Sequence, residues 1–256
     1  MKYPFLMTAA IAGVTPLLGA ATVHAQSAGP PVFEEAQPAT GSMGQISPVE
    51  ITGEVAVVTD YRFRGISFSD KDPAVQGTID LAHASGFYAG VWASTLEDSP
   101  VLGHTKVDLY AGYSFDLSGG TAIDAGVLYY VYADGEDDAG DSDYFEPYAS
   151  LSHTIGPARF TLGAAYAWSQ SATGDNDNIY VYGDTALALI GTPLTLGTHL
   201  GYSNGSLAPS GDYLDWSVTV SAARGAARVS IAYVDTDLQA TPNAQSGVVL
   251  AIGLAF

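Results

Sequence analysis

The chain contains no cysteine. That absence excludes a disulfide framework, a thiolate nucleophile, cysteine-ligated metal and acylation of a lipoprotein cysteine. Basic residues are nearly as scarce: eight Lys and Arg stand against 27 Asp and Glu, giving a net charge of −19. Such a field repels a polyanion, so nucleic acid is excluded as a partner. Charged residues of both signs make up only 14% of the 256 residues, against about a quarter in ordinary soluble domains. Beyond residue 25 no apolar run approaches the roughly 20 residues that a membrane-spanning helix needs.

What is present begins with a leader. Lys2 supplies a positive start, Leu6–Ala21 an apolar stretch, and Val23-His24-Ala25 the small side chains that a signal peptidase reads, so a signal peptide over 1–25 with cleavage before Gln26 is expected. An uncleaved anchor helix is the alternative, and Pro16 argues against it. Residues 26–50 hold Pro30, Pro31, Pro38 and Pro48 among Ala, Gly, Ser and Gln. A stretch that buries so little apolar surface cannot offset the entropy of ordering, and it reads as a disordered periplasmic arm.

From Ile51 onward the dominant period is two, the period of a strand. Val55, Val57, Thr59, Tyr61 and Phe63 share one face of the first strand, with Glu54, Asp60, Arg62 and Arg64 on the other. The same division recurs where Leu109, Ala111, Tyr113 and Phe115 oppose Asp108 and Tyr110, where Val127 and Tyr129 oppose Asp124 and Tyr130, and where Leu214, Trp216 and Val218 oppose Asp215 and Ser217. Alternation alone also suits a soluble sandwich.

The connections decide between the two. Tight links at Ser85-Gly86, Leu117–Gly120, Ile155–Pro157, Ile190–Pro193 and Ala223–Ala226 alternate with longer, acidic, Gly/Ser/Asn-rich ones near 65–73, 97–105, 133–143, 170–178, 203–212 and 236–245. Short turns at one end and long loops at the other are the plan of an outer-membrane barrel. A Greek-key sandwich has no reason to keep it. The fold expected over 51–256 is therefore all-β: a transmembrane antiparallel up-and-down β-barrel of 12 strands. Tyr166, Trp168, Trp216 and Tyr233, with Tyr61 and Phe63, fall toward the outer loops as one aromatic girdle, and Phe87, Phe115, Phe160 and Phe256 toward the periplasmic turns as the other.

The last ten residues, Gly247–Phe256, put Val248, Leu250, Ile252, Leu254 and Phe256 on one face, with small residues opposite. A terminal strand of this kind resembles the signal that the barrel assembly machinery reads. Even strand number returns Phe256 to the side where the first strand begins, so the first and last strands are expected to pair and close the sheet.

Thr59–Ser67 (TDYRFRGIS), Pro73–Gly77 (PAVQG), Gly86–Ser94 (GFYAGVWAS), Asp212–Ser217 (DYLDWS) and Ala232–Asp237 (AYVDTD) together resemble the TorF-type porin family of proteobacterial outer-membrane proteins. The resemblance runs from about residue 50 to the C-terminus. It implies the barrel fold, the outer membrane of a Gram-negative bacterium and a porin role. It brings no catalytic residues and no cofactor.

Charge is costly on a lipid face, so parity places the charged residues inside. Asp60, Arg62, Arg64, Asp80, Asp108, Asp124, Tyr130 and Asp215 are the pore-lining candidates. The Arg62/Arg64 pair on the first strand is expected either to face carboxylates such as Asp80 across a constriction, or to form ion pairs with Asp60 or Asp80. Inward tyrosines, Tyr110, Tyr130, Tyr132 and Tyr148, suit either stacking on a solute or filling a narrow bore. Acidic loops at the mouth predict a channel for passive diffusion of small hydrophilic solutes with a weak cation preference. A filled structural or adhesive barrel is the alternative, because 12 strands lie between a packed interior and an open one.

An outer-membrane hydrolase is a third reading. His83 and His153 fall outward near the periplasmic turns, His199 points inward, and His104 lies in an outer loop near Glu97 and Asp98 without an evident serine nucleophile. No G-x-S-x-G or H-E-x-x-H motif occurs. The acidic loop from Asp134 to Asp143 lacks the ligand order of an EF-hand. No catalytic residue, metal or cofactor is therefore assigned; the expected partners are outer-membrane lipid and lipopolysaccharide, the assembly machinery through Phe256, and small solutes.

Overall fold

The computed structural model describes residues 49–135 and 140–256. The signal peptide and nearly all of the arm, and Glu136–Asp138 of the acidic loop, lie outside the described residues. Among the described residues there are fourteen strands: β1 Val49–Val58, β2 Arg62–Phe63, β3 Ile66–Ser67, β4 Ala74–His83, β5 Phe87–Ser99, β6 Gly103–Leu117, β7 Thr121–Tyr132, β8 Tyr144–Ile155, β9 Ala158–Ala167, β10 Asn178–Ala188, β11 Leu194–Gly205, β12 Asp212–Arg224, β13 Ala227–Thr236 and β14 Gly247–Ala255. Twelve of them, β1 and β4 through β14, form one closed antiparallel barrel in which each pairs with its chain neighbour. The 12-strand barrel is as the alternation and loop lengths predict. β1 begins at Val49, so the first strand takes in the last two residues assigned to the arm.

Closure follows from parity. β1 pairs with β14 from Glu54↔Ala255 to Val58↔Ala251. Gly53 and Phe256 then exchange both backbone hydrogen bonds at 2.9 Å. A side chain at Gly53 would meet the Phe256 ring at 2.6 Å, so the glycine makes room for the terminal aromatic to lie across the seam. With the ring closed the wall has no free edge, and its backbone groups find partners within it, as hydrocarbon requires.

The outside of the wall is apolar. Val55, Val57, Ile79, Leu162, Leu250 and Ile252 all expose about half or more of their surface. At the outer rim the girdle tyrosines direct their hydroxyls to aspartates: Tyr129 to Asp143 (3.3 Å), Tyr166 to Asp177 (3.1 Å), Tyr202 to Asp212 (3.1 Å) and Tyr233 to Asp235 (2.9 Å). A ring in lipid with its hydroxyl on a polar group is the arrangement expected at the interface. Phe87, Phe115, Phe160 and Phe256 are exposed at the periplasmic end.

Two elements depart from expectation. The outer loop placed at 97–105 is largely strand: β5 and β6 run on to Ser99↔Gly103 through a register shift after Thr95, leaving Pro100–Leu102 as the turn. Gly103, at φ +63°, supplies the left-handed residue that closes so tight a turn. The larger departure is at β1, which stops at Val58.

Candidate functional site

After Val58 the chain turns into the bore. Arg62–Phe63 and Ile66–Ser67 pair with each other and with no wall strand, as a small separate sheet. Arg64 (φ +48°) and Gly65 (φ +81°) form the two-residue turn between them. Positive φ at both central positions is the type I′ hairpin turn, which favours Asn-Gly. An arginine in its first central position costs about 1–2 kcal/mol of backbone strain, and the reason for it lies in what its side chain reaches.

Arg64 Nη2 donates to both carboxylate oxygens of Glu146 on β8, at 2.7 and 2.8 Å. Its guanidinium lies over Tyr180 of β10 at 4.1 Å and over Phe63 at 5.0 Å. Arg62 donates to Asp60 (2.7 Å), to Gly65 O (3.0 Å) and to Gln245 O (2.7 Å) in the loop before β14. Ser67 donates to the other oxygen of Asp60 at 2.5 Å, and Tyr213 of β12 donates to Arg64 O at 3.1 Å.

On the facing wall, Lys106 of β6 is fully buried. Its ammonium donates to Asp108 at 2.7 Å and to Tyr61 OH at 3.3 Å. It also sits over the rings of Tyr130 (4.4 Å), Phe63 (4.5 Å) and Trp92 (5.2 Å). Desolvated ammonium on aromatic faces is a strong form of this contact. Phe63 thus lies between two cations, edge-on to Tyr130. The hairpin touches β5, β6, β7, β8, β10 and β12, so it spans the bore rather than lying along one side. The three cations that meet there, Arg62 and Arg64 of the hairpin and its lead-in and Lys106 of the wall, are matched one to one by Asp60, Glu146 and Asp108.

Toward the periplasm the wall changes character. Tyr110, Tyr88, Tyr148 and Tyr182 lie flat across Gly90, Gly112, Gly126 and Gly163, where any β-carbon would collide with the phenol. All four phenols are buried, and Tyr88 and Tyr148 meet hydroxyl to hydroxyl. The Tyr110 and Tyr88 hydroxyls donate to Asp80 and Asp124. His199 of β11 is held at Nδ1 by Asp184 (2.6 Å) and at Nε2 by Asp215 (3.1 Å) and Tyr180 OH (2.8 Å). Arg228 faces Glu54 at 3.3 Å and Arg159 donates to Ser152 at 3.0 Å. Thr78, Asp80, Ser114, Asp184 and Ser230 are only half-buried here, and Asp116 is exposed.

The candidate residues Asp60, Arg62, Arg64, Asp108, Asp124, Tyr130 and Asp215 are all buried on the inner side, with Asp80 half-buried among them. Three expectations are corrected. Arg62 and Arg64 are not on the wall of the first strand, because the chain has already left it. Of the two expected carboxylates Arg62 pairs with Asp60, but neither arginine pairs with Asp80, which accepts from Tyr110 and Thr78 instead. Tyr61 and Phe63 do not belong to the lipid-facing girdle: inside the bore both faces of the hairpin are enclosed, and Tyr61 is buried against Trp92. Glu146 was not singled out, although a lone carboxylate at an inward position between Tyr144 and Tyr148 is the signal that finds it. His104 is exposed and lies 3.5 Å from Asp134, on β6 opposite the irregular stretch of β5 that holds Glu97 and Asp98. In the acidic loop Asp143 accepts from Tyr132 N at 2.8 Å.

Residues 42–251 match the model of a family described as a bacterial protein of unknown function (Gcw_chp). No curated protein matches the sequence. Among solved structures the barrel is similar to the KdgM porin, with a TM-score of 0.56 at 11% identity over 80% of this chain and 98% of that one. It is similar to the NanC porin, at 0.56 and 14% over 81% and 99%, and to an outer-membrane channel from Pseudomonas putida F1, at 0.51 and 10% over 86% and 99%. At these identities what is shared is the fold, and all three of those proteins are porins or channels.

Proposed function

This chain belongs to the Gcw_chp family of bacterial proteins, and from that premise we propose that it is an outer-membrane channel for small hydrophilic solutes, narrowed by its own first loop. The observation that carries the reading is the contrast between an apolar exterior and a bore lined by hydroxyls and charge. Besides the paired charges of the constriction, the inner face bears Glu50, Glu54, Asp80, Asp116, Asp124, Asp184 and Asp215 against Arg159, Arg228 and His199, seven acids to three bases. A bore with that excess attracts cations, which supports a weak cation preference. The motif that resembles the TorF-type porins, Thr59–Ser67, is the inserted hairpin and its lead-in, which supports placing the chain with that type.

Export through a leader over 1–25, an arm up to β1, seating among lipopolysaccharide and delivery by the assembly machinery through Phe256 belong to the same reading. A closed structural barrel is the second reading, favoured by the hairpin's contacts around the bore. Planar-bilayer recording of the refolded chain separates them. The expected result is a current whose reversal potential under a KCl gradient favours K⁺. No current at any voltage, either from the native chain or from one in which residues 61–69 are replaced by a short Gly-Ser link, leaves the closed barrel standing.

A further inference from the structure

We propose that the hairpin is a gate and that the Lys106 ammonium is its catch, an inference that rests on the channel reading above. The hairpin is built as a separable body. β2 and β3 pair only with each other. Two backbone hydrogen bonds join this segment to the rest of the described barrel: Ser67 N to Asn243 O and Glu97 N to Phe68 O, at 2.9 and 2.8 Å. Everything else that seats it is side chain.

The aromatic cage of Lys106 is divided between the two bodies. The wall contributes Trp92, Tyr130 and the Asp108 carboxylate; the hairpin contributes the Phe63 ring and the hydroxyl of Tyr61, which leads into it. Withdrawal of the hairpin removes half the cage and leaves the ammonium with its carboxylate. The ladders of the wall do not include the hairpin, whereas the cage needs both bodies.

The seated state also leaves polar atoms wanting. Arg64 Nε and Nη1 and Asp108 Oδ1 are buried with no hydrogen-bond partner. Water would satisfy all three once the hairpin moved out. The left-handed φ of Arg64 would relax with them. Seating is therefore opposed by strain and by desolvation, and a localised contact must hold it. Arg64 and Glu146 anchor the tip of the hairpin, and at the cage a cation of the wall grips an aromatic ring at its base.

The test is open probability in planar bilayers, with folding of each variant checked by heat-modifiable gel mobility. Lys106→Ala should raise the open fraction about tenfold or more, the scale of losing one charge-assisted contact. Ethylammonium should return it toward the native value by refilling the cage, whereas ethanol should not. Phe63→Leu, which keeps the Lys106–Asp108 pair, should raise it too, and carries the test if Lys106→Ala does not fold. Native open fractions in both variants, with free conduction once residues 61–69 are replaced, overturn the catch and leave the channel. An increase that ethanol reverses as well as ethylammonium makes residue 106 a packing element and also overturns the catch. No current even from the hairpin-replaced barrel overturns the channel reading, and the catch with it.

Discussion

Arg64 shows how one residue can be chosen against its own backbone. An asparagine would suit the turn, yet the site has a carboxylate, Glu146, and a phenol face, Tyr180, that only a long cation satisfies. Removing one partner of a buried pair strands the other, at about 3–5 kcal/mol. Arg64→Ala should therefore destabilise the protein by that order, less the turn strain it relieves, in urea unfolding of the lipid-embedded barrel. It should also shift the reversal potential further toward K⁺, since the constriction loses a positive charge. An unaltered reversal potential would mean that Glu146 does not face the conducting path. Parity in the sequence was enough to place Arg62, Arg64 and Asp60 on the inner side. It could not reveal where the chain leaves the wall, because Tyr61 and Phe63 continue the odd-numbered face of Val55 and Val57 while Asp60 and Arg62 continue the other. Once a strand is inside the bore both of its faces are enclosed, and the rule that odd positions meet lipid fails for Tyr61 and Phe63.

Among elements, the wall strands were legible because each has one apolar face and one polar face, and because short and long links alternate. Parity, not composition, makes the exterior hold, so a charge placed on it should be expensive. Leu250→Arg on β14, an exposed position near the middle of the strand, should cost about 2–4 kcal/mol in lipid, read as a lowered urea midpoint. A cost near zero would place that face in water. The β5–β6 hairpin was misjudged for a local reason: Glu97, Asp98 and Pro100 look like loop, but beyond the membrane a strand pair can continue into solvent with polar side chains on both faces. The β2–β3 hairpin had a signal, Arg64-Gly65 between two apolar-containing pairs of residues, hidden because Arg-Gly is not the dipeptide the turn usually shows.

At the scale of the whole molecule the strand count sets a bore between one that wall side chains fill and one that is openly aqueous. The chain takes up the difference with a piece of its own first loop. That choice has a consequence at the other side of the seam. Because β1 departs at Val58 and β14 ends opposite Glu54, the ladder between them has five paired positions, whereas the ladder of β1 with β4, which runs on to Val49, has ten. Beyond the ladder the outer end of β14 is tied by Thr59, which exchanges bonds with Leu250, and by the Arg62 guanidinium lying against Gly247. The cylinder is thus a ribbon with a short zip, and breathing should begin there. Amide hydrogen exchange in vesicles should be faster along β1 and β14 than along β10 and β11. Equal protection would show that the hairpin's guanidinium clasps the seam as firmly as a full ladder. An element that stops the bore and an element that fastens the ring would then be the same few residues, and whatever draws the plug would also loosen the wall.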